Sequence, residues 1–251
     1  MYAKSDKMPF DLTERQIKLL EAIINEHLES SEPVGSQTIV ERYKMPYSAA
    51  TIRNEMASLM ELGFLLMSHT SSGRKPTPLA YRFFIQELLE ETDLPVLQEV
   101  AIKQRLWPVR FEVEKLLKQA ALALSDTTHE LAFATTNDGY SVYTGVANIL
   151  DYAEYWDINI AKNALSILDR FELMNNILNK ASYGEKEVSI LMGDEMEIEG
   201  LNESTFVFSK YETRGKSGFI GILGPSRMKY GNVIPTVRYV KNLVEELTSG
   251  W

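Results

Sequence analysis

Cysteine is absent from the 251 residues. Without a thiol there is no disulfide, no thiolate zinc site and no cysteine nucleophile, a composition that suits a reducing cytosol. Histidine is nearly as scarce. His27, His69 and His129 are the only three, and their wide separation without cysteine partners argues against a metal-ligand motif. No apolar run approaches the roughly 20 residues of a membrane span, and Met1 to Phe10 lacks the apolar core of a secretion signal. These absences point to a soluble, cytoplasmic protein with no membrane partner, no metal and no cofactor.

An excess of positive charge is also lacking. The 26 basic residues face 35 acidic ones for a net charge of −9, which taken alone argues against a nucleic-acid partner. The distribution changes that reading. Between Thr38 and Ile85 six cations (Arg42, Lys44, Arg53, Arg74, Lys75, Arg82) stand against Glu41, Glu55 and Glu61, an excess of three. Beyond Glu90 there are 16 basic and 23 acidic residues. A locally basic module on an acidic body suits DNA binding, although so few cations in one copy would bind weakly and with strong salt dependence.

What is present is a globular composition, 45% hydrophobic and 24% charged, long enough for two ordinary domains. Thr13 and Gln16 have capping-box spacing, and Ile17, Leu20, Ile24 and Leu28 repeat at helical intervals, predicting a helix from Thr13 to Glu29. Pro33 and Gly35 break the chain. Ser36 is placed to cap a short helix that carries Ile39, Val40 and Tyr43 inward, and Met45-Pro46 then forces a break before Ser48 caps a third. On that third helix Ile52, Met56, Leu59 and Met60 share one face. Thr51, Asn54 and Ser58 share the other, with Arg53 at the border. Gly63 closes the helix, Phe64 to Ser68 reads as a strand, and His69 to Lys75 as a turn with Arg74 and Lys75 at its tip.

This order of parts is a winged helix-turn-helix over residues 1–92. A helix that starts with small residues can enter a major groove, where Asn54 suits adenine and Arg53 suits guanine or phosphate. The candidate DNA-binding residues are Ser48, Thr51, Arg53, Asn54, Ser58, His69, Arg74 and Lys75, the last three meeting the backbone from the wing. A helix from Leu79 to Glu91 follows, and Asp93 to Pro95 forms the boundary. Residues 93–124 read as a connecting helical segment interrupted near Pro108. From Glu130 onward short β-type runs surround a helical block at Ile158 to Lys180, so that residues 125–251 read as an α+β domain.

Other motifs favour plain structural readings. Gly218, Gly221 and Gly224 precede Pro225 instead of opening a helix, which suits a closely packed strand better than a phosphate loop. The acidic run Asp194, Glu195, Glu197 and Glu199 reads as a solvated loop. No hydrolase elbow is present, so there is no catalytic residue to name and no sign of an enzyme.

Four segments occur in the order and spacing of a known family: Leu12 to Gln16, Glu32 to Ser36, Ala50 to Met56, and His69 to Thr77. Gly145 to Leu150, Gly218 to Pro225 and Arg227 to Tyr230 extend the match. The chain resembles HrcA, the bacterial heat-inducible transcription repressors. The resemblance implies a winged-helix domain ahead of a GAF-like domain that is regulatory or dimerising. It also implies a homodimer that binds an inverted repeat called CIRCE to repress chaperone operons, with the GroEL chaperonin as a partner keeping the repressor competent. Typical members are longer, and the shortfall here falls between Thr127 and Tyr143. The alternative is a ligand sensor, whose second domain binds a small molecule that controls DNA affinity.

Overall fold

The computed structural model describes residues 12–68, 73–90, 92–182, 187–213 and 215–249. The chain forms two compact units that divide between Glu90 and Glu91. The first begins with α1 (Glu14–Ser30), α2 (Ser36–Tyr43) and α3 (Ala49–Glu61), followed by an antiparallel pair, β1 (Leu65–Met67) and β2 (Arg74–Pro76), and by α4 (Pro78–Phe83) with a π-helical continuation, Phe84–Leu88.

The start of α1 follows the expected capping box. The Gln16 N–H donates to Thr13 Oγ1 at 3.3 Å while the Thr13 N–H donates to the Gln16 side chain at 3.0 Å, satisfying donors that a helix start leaves open. The cap of α2 differs from expectation. Gly35 occupies the capping position without a side-chain bond, and Ser36 is the buried first residue of the helix. Leu20, Ile23 and Ile24 of α1, Ile39 of α2 and Ile52, Met56 and Leu59 of α3 are all buried, the apolar stripes of the three helices. A buried hydrogen bond of 2.7 Å between His27 Nδ1 and the Tyr81 hydroxyl joins α1 to α4.

The second unit contains α5 (Val96–Leu106), α6 (Val113–Thr128), β3 (Leu131–Thr135), β4 (Ser141–Thr144), α7 (Ile158–Leu168), α8 (Phe171–Ala181), β5 (Ser189–Met192), β6 (Ser204–Glu212), β7 (Ser217–Pro225) and α9 (Tyr230–Thr248). Its sheet is antiparallel throughout, in the order β4-β3-β7-β6-β5. Alternate residues of the central strands turn to opposite faces. Leu131, Phe133, Phe206, Phe208, Phe219 and Leu223 join a core with α7 and α8. On the other face α6 and α9 pack against the strands, so β3 is buried at every position. The architecture is α+β.

The helical segment read as a connection is α5 and α6, and both lie in the second unit, where Leu116, Leu117, Ala120 and Leu124 are buried. Sequence pattern alone placed no element after Leu223. Yet α9 runs for 19 residues with Pro235 inside it. Gly231 and Pro235 in its first turns are helix-breaking residues, but the sheet face that Val233, Val237, Val240 and Val244 cover outweighs them. Residues 127–143 form the end of α6 and the β3–β4 hairpin, whose turn is closed by the Thr136 N–H donating to the Tyr140 carbonyl at 2.9 Å.

Candidate nucleic-acid interface

The outward face of α3 is built from its N-terminus. Ser48 accepts the Thr51 N–H at 3.1 Å, and the two hydroxyls lie 3.0 Å apart. Ser48 is exposed, whereas Thr51 and Ser58 are half-buried at the edges of the face. Arg53 and Asn54 are exposed, flanked by the exposed small residues Ala50 and Ala57. This corrects the expected layout: Arg53 belongs to the centre of the outward surface, and Thr51 and Ser58 to its border. Among the described residues no side chain holds that of Arg53 or Asn54. Both can therefore meet an approaching ligand without first breaking a bond.

The orientation of α3 depends on a residue that sequence pattern did not single out. Arg15 of α1 pairs with Glu55 on α3, and its guanidinium lies 5.5 Å from the centre of the Tyr47 ring. No local signal marks this pair, because its members lie on different helices and meet only after folding.

The hairpin also differs from expectation. Arg74 and Lys75 do not form the tip of the turn; they lie on β2, opposite Met67 and Leu66. Both are half-buried. Strand pairing requires their backbone, and Arg74 further bridges Val34, donating its N–H at 2.9 Å and accepting one at 2.8 Å. This ties the hairpin to the α1–α2 connection. The candidate His69, with the rest of the expected tip at residues 70–72, lies outside the described residues.

Arg42, one of the cations in the local charge excess, is engaged within the fold. It donates to both carboxylate oxygens of Glu26 at 2.6 and 2.8 Å and to Glu29 at 3.1 Å. The basic character of the unit therefore rests on fewer cations than sequence counting suggests.

In the second unit two of the distinctive sequence segments converge on Glu130, which is 2% exposed. The Tyr152 hydroxyl donates to Glu130 Oε1 at 2.6 Å, and the Asn148 amide donates to the Glu130 backbone carbonyl at 3.3 Å. Gly224 faces the other carboxyl oxygen: a Cβ there would stand 2.4 Å from Oε2. That oxygen is buried without a hydrogen-bond partner among the described residues. Burial pushes the Glu130 carboxyl up to about 8, although the Tyr152 bond and the nearby Arg227 both act to lower it. Arg227 is itself paired with Glu154, at 2.6 and 3.1 Å.

A groove of about 670 Å³ lies beside α8, lined by Leu173, Ile177, Met196, Lys180 and Lys210 among others. Among the described residues no cluster of acidic, histidine or cysteine side chains has the spacing to hold a metal ion. Nor is any described helix long and apolar enough to cross a membrane.

The family model described as HrcA protein C terminal domain matches residues 80–234, more than half of the chain. The chain belongs to the HrcA family. Relatives named Heat-inducible transcription repressor HrcA extend the likeness over nearly all of it. That of Clostridium acetobutylicum is 27% identical over 332 aligned positions, covering 92% of this chain and 96% of the relative. Those 332 positions less 251 residues leave at least 81 that face no residue here, so this HrcA chain is a short member. The relative from Chloroflexus aurantiacus is 42% identical over 124 residues, covering 49% of this chain and 33% of the relative. A crystal structure of a hypothetical protein at 2.2 Å resolution superposes with a TM-score of 0.76 over 96% of this chain and 99% of that one, at 18% identity, a likeness of fold. HrcA membership places the chain among heat-inducible transcription repressors, a family that is not catalytic.

Proposed function

We propose that this chain represses transcription as a homodimer whose first unit is a winged helix-turn-helix, with α3 as the recognition helix and the β1–β2 hairpin as the wing, and whose second unit is GAF-like. The observation that carries the proposal is the outward face of α3, where Arg53 and Asn54 stand unengaged between two alanines. Small flanking residues let a helix sit deep in a major groove, where Asn suits adenine and Arg suits guanine. Ser48, Thr51 and Ser58 border that face, and Lys75 and Arg74 on β2 supply cations toward the phosphates.

The charge distribution supports dimerisation. With Arg42 held by Glu26 and Glu29, one copy offers few cations, and two linked copies add their binding energies over two half-sites. The operator that suits such a pair is an inverted repeat of the CIRCE type, and GroEL is the partner that keeps the repressor competent. The test is a gel shift of the full chain on a CIRCE-type repeat and on a scrambled duplex, with and without GroEL, across a salt series. Selective binding that needs both half-sites is the expected result. Equal, weak binding to both duplexes with the chaperonin present would overturn the assignment.

A further inference from the structure

The outward face of α3 has a carboxylate at its edge. Glu55 stands one turn after Thr51 and one turn before Ser58, the two residues that border that face, and side chains three or four apart on a helix lie side by side. A duplex carries roughly one negative charge per 1.7 Å of its axis. A bare carboxylate at this edge would therefore oppose the approach of α3 to phosphates. Arg53 cannot cancel it, because residues two apart on a helix do not face each other. The countercharge comes from another helix. Arg15, in the first turn of α1, pairs with Glu55, and its guanidinium lies 5.5 Å from the centre of the Tyr47 ring, next to the Ser48 cap of α3. Ion pair and aromatic ring together hold the cation at the N-terminal end of α3. The Glu55 side chain is 12% exposed and that of Arg15 43%, so the cation is the more outward member of the pair. Among the described residues neither makes another ion pair.

Resting on the DNA-binding reading above, we propose that the interface extends past α3 to the N-terminus of α1, where Arg15 sets affinity for DNA by cancelling the charge of Glu55. Without Arg15 the charges of Arg53 and Glu55 sum to zero on the reading half of α3; with it they sum to +1. In a unit whose Arg42 is already held by Glu26 and Glu29, one charge at the phosphates counts heavily. The effect is electrostatic, so it acts on any duplex and leaves the choice of bases to Arg53 and Asn54. Glu55→Gln separates this role from the mechanical one of joining α1 to α3. The amide oxygen still accepts from Arg15, and the guanidinium keeps its place by Tyr47; only the charge changes.

Fluorescence anisotropy of the full chain on a CIRCE-type repeat and on a scrambled duplex, across a salt series and alongside thermal melts, tests the proposal. Glu55→Gln is expected to tighten binding to both duplexes about tenfold at low salt and to raise the salt slope by about one. Arg15→Met is expected to weaken both by a similar factor and to lower the slope by about one. Combining the two substitutions restores the charge balance and is expected to recover at least threefold of that loss, on the order of what one cancelled charge contributes. A pair that only braces the fold gives a different pattern: Glu55→Gln binds no more tightly than the parent, and the double variant binds no better than Arg15→Met. Either result would overturn the proposal. Should Arg15→Met fail to fold, Glu55→Gln decides alone. A parent that binds both duplexes equally, with this order of variants intact, would overturn base reading by α3 and leave the role of Arg15 standing. A parent that binds neither duplex would overturn both.

Discussion

The Tyr152 hydroxyl stands 2.6 Å from Glu130 Oε1 and donates to it, while the second oxygen of the same carboxyl is buried against Gly224 with no partner among the described residues. One satisfied and one unsatisfied oxygen make the neutral acid the comfortable form here. Glu130 is therefore a place where proton binding and folding are linked.

Because burial raises the folded-state value from an ordinary 4.5 to about 8, the folded chain keeps a proton that the unfolded chain has released between those limits. Stability from this group is full below pH 4.5, falls as pH rises through that window, and is gone above about 8, a loss on the order of 3–5 kcal/mol. Glu130→Gln, which keeps the Tyr152 bond and cannot ionise, is expected to flatten that fall. Urea melts of both proteins at pH 6 and pH 8.5 check it, and parallel pH profiles would refute it.

Gly224→Ala places a methyl 2.4 Å from Glu130 Oε2 and 2.8 Å from Met228 Sδ. Overpacking of this kind is expected to cost about 1–3 kcal/mol in chemical denaturation. The cost should be smaller when Glu130 is already truncated to alanine, since the two sites touch. Strict additivity in the double variant would count against the contact.

Arg42→Ala strips the Glu26 carboxylate, whose side chain is only 6% exposed, of its bidentate partner. A clear loss of stability is expected, because the buried carboxylate is left without its partner. Arg105→Ala breaks an ion pair whose carboxylate, Asp126, is 60% exposed, and should cost less than about 1 kcal/mol. Differential scanning calorimetry ranks the two, and equal melting temperatures would be the contrary result.

Arg53 and Lys75 are expected to fail differently as DNA contacts. Arg53→Ala should weaken operator binding by about 1–3 kcal/mol and leave scrambled DNA little changed, the mark of base reading. Lys75→Ala should weaken both and lower the salt slope by about one. Fluorescence anisotropy on the two duplexes separates these outcomes, and no loss for either variant would remove α3 and β2 from the interface.

Much of the first unit is legible in the chain because its signals are local. The Thr13–Gln16 capping box, the Ser48 cap, Gly63 in a left-handed conformation after α3 and the burial of Ile52, Met56 and Leu59 each involve residues within about one helical turn or one helix face. The β-type runs of the second unit are legible for a similar reason, since alternation and apolar content mark strands. The Arg74 and Lys75 positions were misplaced because turn residues and short strands look alike until pairing fixes the register.

By itself, then, the sequence determined the helices ahead of α9 and most of the strands, the segments shared with HrcA relatives, and the residue types available for DNA. Tertiary structure alone decided which of those residues stand free. It set Arg53 and Asn54 outward and drew Arg42 into an ion pair with Glu26. Through Arg15 and Glu55 it joined α1 to α3, and it closed the sheet over Glu130 until that carboxyl lost its water. The physical reason is range. Caps and periodicity act over a few residues, whereas burial, ion pairing and register depend on groups that meet only when distant segments pack.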